Sequence, residues 1–229
     1  MESTGKIASI GRVTRSREEA RTSYDRISGW YDVLEGRWER KPVALGLRKL
    51  AAKPGETVLE IGFGTGHGLV SIARSVGRSG RVFGADLSPR MLALARHRVM
   101  KEGFPERVML MEADAVAGIP LPDRRIDAVF MSFVLELFDT PEIPVVLGEC
   151  ARLLRTGGRI CVVSLSKKGG SAAMRSTYER AHEMFPRLID CRPIFASRDL
   201  EEAGFRVTDM TTVSLMGLPV EIAIGRAEA

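Results

Sequence analysis

Glu60 lies two positions ahead of the glycines Gly62, Gly64 and Gly66, and a second acid, Asp86, follows further on; these residue types at this spacing could bind a ligand. Glycines at alternate positions let a backbone turn tightly and approach a ligand with no Cβ in the way. Where such a turn opens a helix, unpaired N–H groups collect and seat a polar or anionic group. An acid at the end of the next strand is the place from which nucleotide-binding units accept hydrogen bonds from ribose hydroxyls, and Asp86 occupies it. Its other role would be a helix cap, but Ser88 already fills that. A nucleotide-like ligand is the first expectation; the alternative is a glycine-rich turn that holds nothing.

The elements that must position these groups are legible around them. The β-branched run Thr57 to Ile61 follows the turn residues Lys53-Pro54-Gly55 and reads as a buried strand. A helix opening near Gly66 carries Leu69, Val70, Ile72, Ala73 and Val76 until Gly77 and Gly80 stop it. Strand Arg81 to Asp86 leads to a helix from Pro89 to Glu102, with Met91, Leu92, Leu94, Ala95 and Val99 on its apolar side. Arg90, Arg96, Arg98, Lys101 and His97 are expected on a solvated face. Val108 to Glu112 is the third strand, running on to Asp114, and Ile126 to Phe133 is the fourth. Pro141 and Pro144 start a helix expected to end at Gly157-Gly158, before a fifth strand from Arg159 to Ser164. Ser197 is expected to cap a helix ending at Ala203-Gly204. Strands Arg206 to Leu215 and Val220 to Ile224 should form an antiparallel hairpin through Gly217-Leu218-Pro219.

Strand and helix alternate five times by Ser166, which predicts one α/β domain with a Rossmann-like, doubly wound, mostly parallel sheet of seven strands. Ligands of such sheets sit beyond the carboxyl ends of the strands, where strand order reverses. Gly62, Asp86, Asp114 and Ser132 all fall at such ends.

The spacing also says which ligand. A dinucleotide fingerprint counted from Gly62 needs glycine where His67 stands, and counted from Gly64 needs it at Leu69. The pattern present is G-x-G-x-G behind an acid. It resembles motif I of the class I S-adenosylmethionine methyltransferases, whose ligand carries an ammonium and no pyrophosphate, and an acid near the turn suits that cation. Five segments extend the likeness to the ubiquinone/menaquinone C-methyltransferase group and its small-molecule relatives, a methyltransferase type 11 family. They are Tyr24-Asp25-Arg26-Ile27 with Tyr31-Asp32, Val58 to Gly66, Gly84 to Leu92, Glu112 to Ala115, and Leu153 to Arg159.

The resemblance implies S-adenosylmethionine as cofactor and S-adenosylhomocysteine as product. It implies that Thr65 and the glycine backbone hold the methionine part, Asp86 the ribose, and Asp114 with the Ala115 N–H the adenine, while Ser132 lines the sulfonium side. Tyr24, Tyr31, Glu60, Leu87, Met91 and Phe133 complete the implied cofactor set. It also implies that the C-terminal hairpin closes the sheet edge.

Residues 1–21 mix charges with Ser, Thr and Gly and read as a loose arm; 22–229 form the methyltransferase domain. Within it, 22–52 are a helical lid or an aromatic anchor, 53–166 the cofactor core, and 167–229 the acceptor side with the sheet-closing strands. A second helix is expected from Pro42 to Leu50. Departures from the quinone enzymes lie on the acceptor side, at His67 and Leu135-Glu136-Leu137. Glu136 is expected as a surface helix acid, with a place facing the acceptor as the alternative. Tyr178 and His182, one turn apart, are expected on an ordinary helix surface.

Composition bounds the rest. Hydrophobic content of 45% with 28% charged residues describes a soluble globular chain. Three cysteines with no C-x-x-C spacing argue against a disulfide framework or a metal site and for a cytoplasmic setting. The net charge of +5 permits contact with anionic lipid without requiring it, so peripheral membrane contact stays open, and no nucleic-acid partner is expected.

A sulfonium already makes its methyl carbon electrophilic, so the protein mainly supplies binding, in-line approach and exclusion of water. An amine or thiol acceptor needs no dedicated base. A phenol or aromatic carbon does, and the candidates are His67 and His182. The expected acceptor is a small molecule, with a quinol or other lipid-like compound in view. Phosphatidylethanolamine N-methylation, thiol or amine methylation, and a binding module without turnover are the alternatives. No Asn-Pro-Pro-Tyr-like run follows the fourth strand, which argues against methylation of nucleobase amino groups.

Overall fold

The computed structural model describes residues 39–171, 178, 180 and 191–228. Tyr24, Tyr31 and His182, the loose arm and most of the expected lid lie outside the described residues. Helix α1 spans Arg40–Leu50, with Pro42 in its first turn where a missing N–H costs nothing. Strand β1 (Thr57–Ile61) and helix α2 (His67–Val76) flank the glycine turn. Strand β2 (Arg81–Asp86), helix α3 (Pro89–Lys101) and strand β3 (Val108–Glu112) follow. Strand β4 (Ile126–Ser132) leads through a 3-10 turn, Leu135–Leu137, to helix α4 (Ile143–Leu153). Strand β5 (Leu154–Leu165), helix α5 (Ala196–Glu202) and strands β6 (Phe205–Leu215) and β7 (Leu218–Ala227) complete the set.

One seven-stranded sheet runs in the order β3-β2-β1-β4-β5-β7-β6. Strands β1 to β5 pair in parallel, and β7 is antiparallel to both of its neighbours. This is the doubly wound, mostly parallel sheet expected from the alternation. Order reverses between β1 and β4, so the crevice lies beyond the carboxyl ends of those two strands. The sheet is buried on both faces. Leu59, Val129, Val162 and Leu147 belong to one core, and Val58, Ala128, Cys161 and Leu69 to the other. Cys161 is the small core residue its strand setting suggests: its Sγ lies 3.5 Å from the Gly46 carbonyl oxygen, and burial pushes its thiol up.

Three local expectations need correction. The α4 helix stops at Leu153 rather than at Gly157-Gly158, because Leu154 is already extended and pairs with Ile126. The register then shifts before Ala128 meets Arg159, and Gly157 takes up the irregularity with a φ of 74°. Ser197 does not cap α5. The cap position is Phe195, and the Ser197 N–H donates instead to Glu221 Oε1 at 2.7 Å. In the hairpin, Leu218 and Pro219 are already strand, and the turn is made by Met216 and Gly217 at φ 51° and 89°. Two positive φ values are what a type I′ hairpin turn requires. The hairpin also does more than lie along an edge: β7 inserts between β5 and β6 and leaves β6 outermost.

The sheet is pinned at its amino ends by charge. Arg159 Nη1 and Nη2 reach the two Glu56 carboxylate oxygens at 2.9 and 2.7 Å, and the same guanidinium donates to the Leu50 and Ala51 carbonyls. Burial works to raise Glu56, but hydrogen bonds from Arg159 and the Lys53 N–H, with the guanidinium charge, hold it below its ordinary 4.5. A folded-state pKa that is lowered contributes stability above the unfolded value and loses it as acid protonates the group. Arg159→Ala leaves the half-buried Glu56 carboxylate with the Lys53 N–H as its remaining donor and removes the guanidinium from two carbonyls. The expected loss is about 3 kcal/mol, read as a lower urea midpoint at neutral pH; an unchanged midpoint would contradict this account.

Candidate functional site

The carboxyl edge of β1 is built around steric necessity. Gly62, Gly64 and Gly66 have φ of 68°, 52° and 87°, a region that side chains with a Cβ disfavour. A Cβ on Gly62 would stand 2.3 Å from Val134 Cγ2, one on Gly66 2.9 Å from the Ala95 Cβ, and one on Gly68 2.0 Å from Glu60 Oε1. Each glycine therefore admits a different neighbour: the loop after β4, helix α3, and the acid of β1. Gly68 and Val134 are absent from the sequence-level site, although a lone acid within the apolar run Thr57–Ile61 signals that something small must face it.

Asp86 ties the two halves of the crevice together. Its Oδ2 accepts the Gly64 N–H at 3.0 Å, its Oδ1 accepts the Ser88 N–H at 3.0 Å, and its carbonyl accepts the Ala113 N–H at 3.0 Å. The side chain at the end of β2 thus fixes the glycine turn, the start of α3 and the exit of β3 at once. Ser88 caps α3 by accepting the Met91 N–H at 3.1 Å, which leaves Leu87 half-buried and Met91 buried just behind Asp86. Thr65 is buried within the turn.

Asp114 closes a turn of its own, with Oδ1 accepting the Val116 N–H at 2.9 Å and its carbonyl accepting from Ala117 and Gly118; Ala115 is buried beside it. Ser132 ends β4 half-buried. Phe133 is buried with a φ of 52°, a conformation that costs a non-glycine residue about 1–3 kcal/mol. The Phe133 N–H donates to the Val163 carbonyl at 2.8 Å, and the reversal drives Val134 over Gly62. Strain of this kind gathers at functional sites.

Glu60 supplies the electrostatics. It is 2% exposed, and its Oε2 has no hydrogen-bond partner among the described residues. Burial, and then the nearby Asp86 charge, push its carboxyl well above the usual range. An unsatisfied buried carboxylate beside a second one is the setting a ligand cation relieves. The residues present fit an S-adenosyl ligand on this observation, since its ammonium and hydroxyls meet an acid and an acceptor already in place.

Of the two base candidates, only His67 lies among the described residues. His67 is exposed at the first position of α2, with Arg98 Nη1 against both of its ring nitrogens. Tyr178 is half-buried and donates to the Cys191 carbonyl at 3.0 Å. Glu136 is not a surface acid: it is fully buried in the 3-10 turn, and its Oε1 accepts the Leu165 N–H at 3.1 Å. It belongs to a polar belt at the ends of β4, β5 and β7 that the sequence did not reveal. Glu221, 1% exposed, takes the Ser166 hydroxyl at 3.1 Å as well as the Ser197 N–H. Arg192, 3% exposed, donates to the Phe138 carbonyl at 2.5 Å and to Thr140 Oγ1 at 3.3 Å.

A methyltransferase-domain family model matches residues 58–158. The demethylmenaquinone methyltransferase of Symbiobacterium thermophilum is 31% identical over 241 residues, covering 91% of this chain and 93% of that one. The ubiquinone/menaquinone biosynthesis C-methyltransferase of Teredinibacter turnerae is 30% identical over 67% of this chain. In the matches to it and to its counterparts from Hahella chejuensis and Ectopseudomonas mendocina, the chain spans 59%, 63% and 53% of the relative's length. Among solved structures, the [4+2]-cyclase SpnF superposes with a TM-score of 0.77 at 18% identity, covering 96% of this chain and 98% of that one. That likeness speaks for the fold.

A raised carboxyl means that the folded chain holds a proton more tightly than the unfolded one, so stability falls as pH climbs above the ordinary 4.5 toward the folded value. Glu60→Gln should therefore be more stable than the parent at pH 8 in the absence of ligand and lose this part of the pH slope. Urea midpoints from pH 5 to 8, expected to diverge between the two proteins, would disprove the burial argument if they ran parallel.

Proposed function

We propose that this chain, which belongs to the class I S-adenosylmethionine-dependent methyltransferases, transfers a methyl group to a carbon of a quinol-type, lipid-like acceptor. The observation that carries the cofactor half is Asp86, which braces the glycine turn and α3 through two N–H groups beside a buried acid in need of a cation. When bound, S-adenosylmethionine supplies an electrophilic methyl carbon on a positively charged sulfur.

The chain's own residues do the rest. Glu60 offers charge to the ammonium end, and Thr65 with the glycine N–H groups seats the methionine part. Asp86 accepts from the ribose hydroxyls with Leu87 and Met91 beside it, and Asp114 with the Ala115 N–H receives the adenine. Ser132 and Phe133 border the place where the methyl group would face the acceptor. Fixing both partners in line removes most of the orientational cost of a bimolecular step. Ring methylation needs a proton acceptor. His67, exposed at the first position of α2, and His182 are the candidates.

The quinol reading is supported by what the relatives are named for: demethylmenaquinone, ubiquinone/menaquinone, and in Nostoc punctiforme 2-phytyl-1,4-naphtoquinone methyltransferases. A second reading is an S-adenosylmethionine-binding protein without methyl transfer. Phosphatidylethanolamine, thiols and amines are the other acceptors for the assay.

Purified protein with isotope-labelled S-adenosylmethionine and a demethylated polyprenyl naphthoquinol should yield labelled ring-methylated product. Asp86→Ala should weaken cofactor binding at least about a hundredfold, the worth of about two charge-assisted hydrogen bonds, by calorimetry. Tight binding with no transfer to any acceptor would establish the second reading, and no binding would end both.

A further inference from the structure

The surface that the proposed site does not use is the outer face of α3, and its composition is unusual. The helix reads PRMLALARHRVMK, with four Arg or Lys residues, one His and no acid. Met91, Ala95 and Val99 turn inward, and Arg90, Ala93, Leu94, Arg96, His97, Met100 and Lys101 are exposed. At 100° per residue these seven form one arc of about 160°, in the order Arg96, Met100, Ala93, His97, Arg90, Lys101, Leu94, so cations and apolar side chains share it. Two of the exposed large apolar side chains lie here, Met100 at 63% and Leu94 at 37% exposure. Glu102, at the C-cap, carries an ion pair to Arg74 at 2.5 Å and so adds little negative charge to the face. Ser88 and Asp86 adjoin the N-terminal end of the helix, so the face begins at the carboxyl edge of the sheet.

We propose that this face of α3 docks the protein on an anionic lipid surface, with Arg90, Arg96 and Lys101 meeting headgroups and Leu94 and Met100 entering the acyl boundary. Long cationic side chains around apolar ones match a bilayer interface, whose charge and hydrocarbon lie at adjacent depths. A polyanion without an apolar layer, such as nucleic acid, would leave Leu94 and Met100 exposed. The choice of lipid also rests on the lipid-like acceptor proposed above, because docking beside α3 brings the site mouth to the layer where such an acceptor resides. Among the described residues no helix is long and apolar enough to cross a membrane, so the contact is peripheral.

The test is co-sedimentation of the full chain with vesicles, phosphatidylglycerol mixed with phosphatidylcholine against phosphatidylcholine alone. Partition should favour the anionic vesicles and fall steeply with salt. Reversing two cations in Arg96→Glu/Lys101→Glu should reduce it by about a hundredfold or more. Leu94→Ser/Met100→Ser should reduce it with the charge intact. Arg96→Gln/Lys101→Gln serves if the reversed variant does not fold, with a smaller loss expected. All variants should keep the parent's affinity for S-adenosylmethionine, so a failure here is distinguishable from a failure of the methyltransferase reading. Absence of partition, equal partition to neutral vesicles, partition unaffected by the cation variants, or capture of duplex DNA in place of vesicles would overturn the proposal.

Discussion

Two carboxylates on adjacent parallel strands, Glu60 and Asp86, set the terms for the rest of the crevice. Burial and mutual repulsion both oppose ionising Glu60, and the chain accepts that cost in order to keep an acid under the glycine turn. Much of the local architecture follows. Gly68 lacks a side chain because the Glu60 carboxylate occupies the space, and Asp86 uses its own oxygens to hold Gly64 and Ser88. Gly62 in turn admits Val134, which only the left-handed Phe133 can deliver. The motif therefore has separate steric reasons at separate glycines, and a substitution at any of them disturbs a different neighbour.

The two ends of the sheet are built for different tasks. At the amino ends, Arg159 satisfies Glu56 and two helix carbonyls, and Asp127 receives the Thr57 N–H at 2.7 Å, so polar groups there close on one another. At the carboxyl end of β1, Glu60 Oε2 has no hydrogen-bond partner among the described residues. On the β4, β5 and β7 side polar groups knit loops together: Glu136 holds β5, Glu221 holds α5 and Ser166, and Arg192 holds the loop after the 3-10 turn. That belt ties together the loops at the ends of β4, β5 and β7 without exposing charge. Its charged groups buy positional definition rather than net stability, since apolar packing could replace them at little cost in free energy.

This division explains what could be read in advance. The glycine turn, the end of β2 at Asp86 and the Ser88 cap lie at short intervals within one βαβ unit, so they and the alternation of strand and helix were legible from the sequence. The belt is made by contacts between distant segments: Glu136 meets Leu165, and Glu221 meets Ser197. A single acid in a short apolar run, such as Leu135-Glu136-Leu137, looks locally like a surface helix position, and only its distant partner shows otherwise. The end of α4 was misjudged for a related reason. Gly157-Gly158 is a good helix stop by composition, but pairing of Leu154 with Ile126 ends the helix earlier and leaves the glycines to absorb a shift in register. Local preference yielded to tertiary pairing in both cases.

The same electrostatics decides between ligands that a glycine turn alone would admit equally. A helix N-terminus attracts anions, and a dinucleotide pyrophosphate would be drawn to the start of α2 by that field. Glu60, when ionised, opposes it: a unit charge about 5 Å from a carboxylate, at an effective dielectric near 20, changes in energy by about 3 kcal/mol. The sign is unfavourable for each phosphate charge and favourable for an ammonium or sulfonium. His67, standing where the dinucleotide fingerprint requires glycine, adds a side chain at the mouth of the turn. Charge thus separates a cationic adenosyl ligand from a dianionic one by more than the glycine spacing does. The buried acid that destabilises the empty fold also gives the site its preference, because a bound cation relieves the repulsion that Glu60 carries without it.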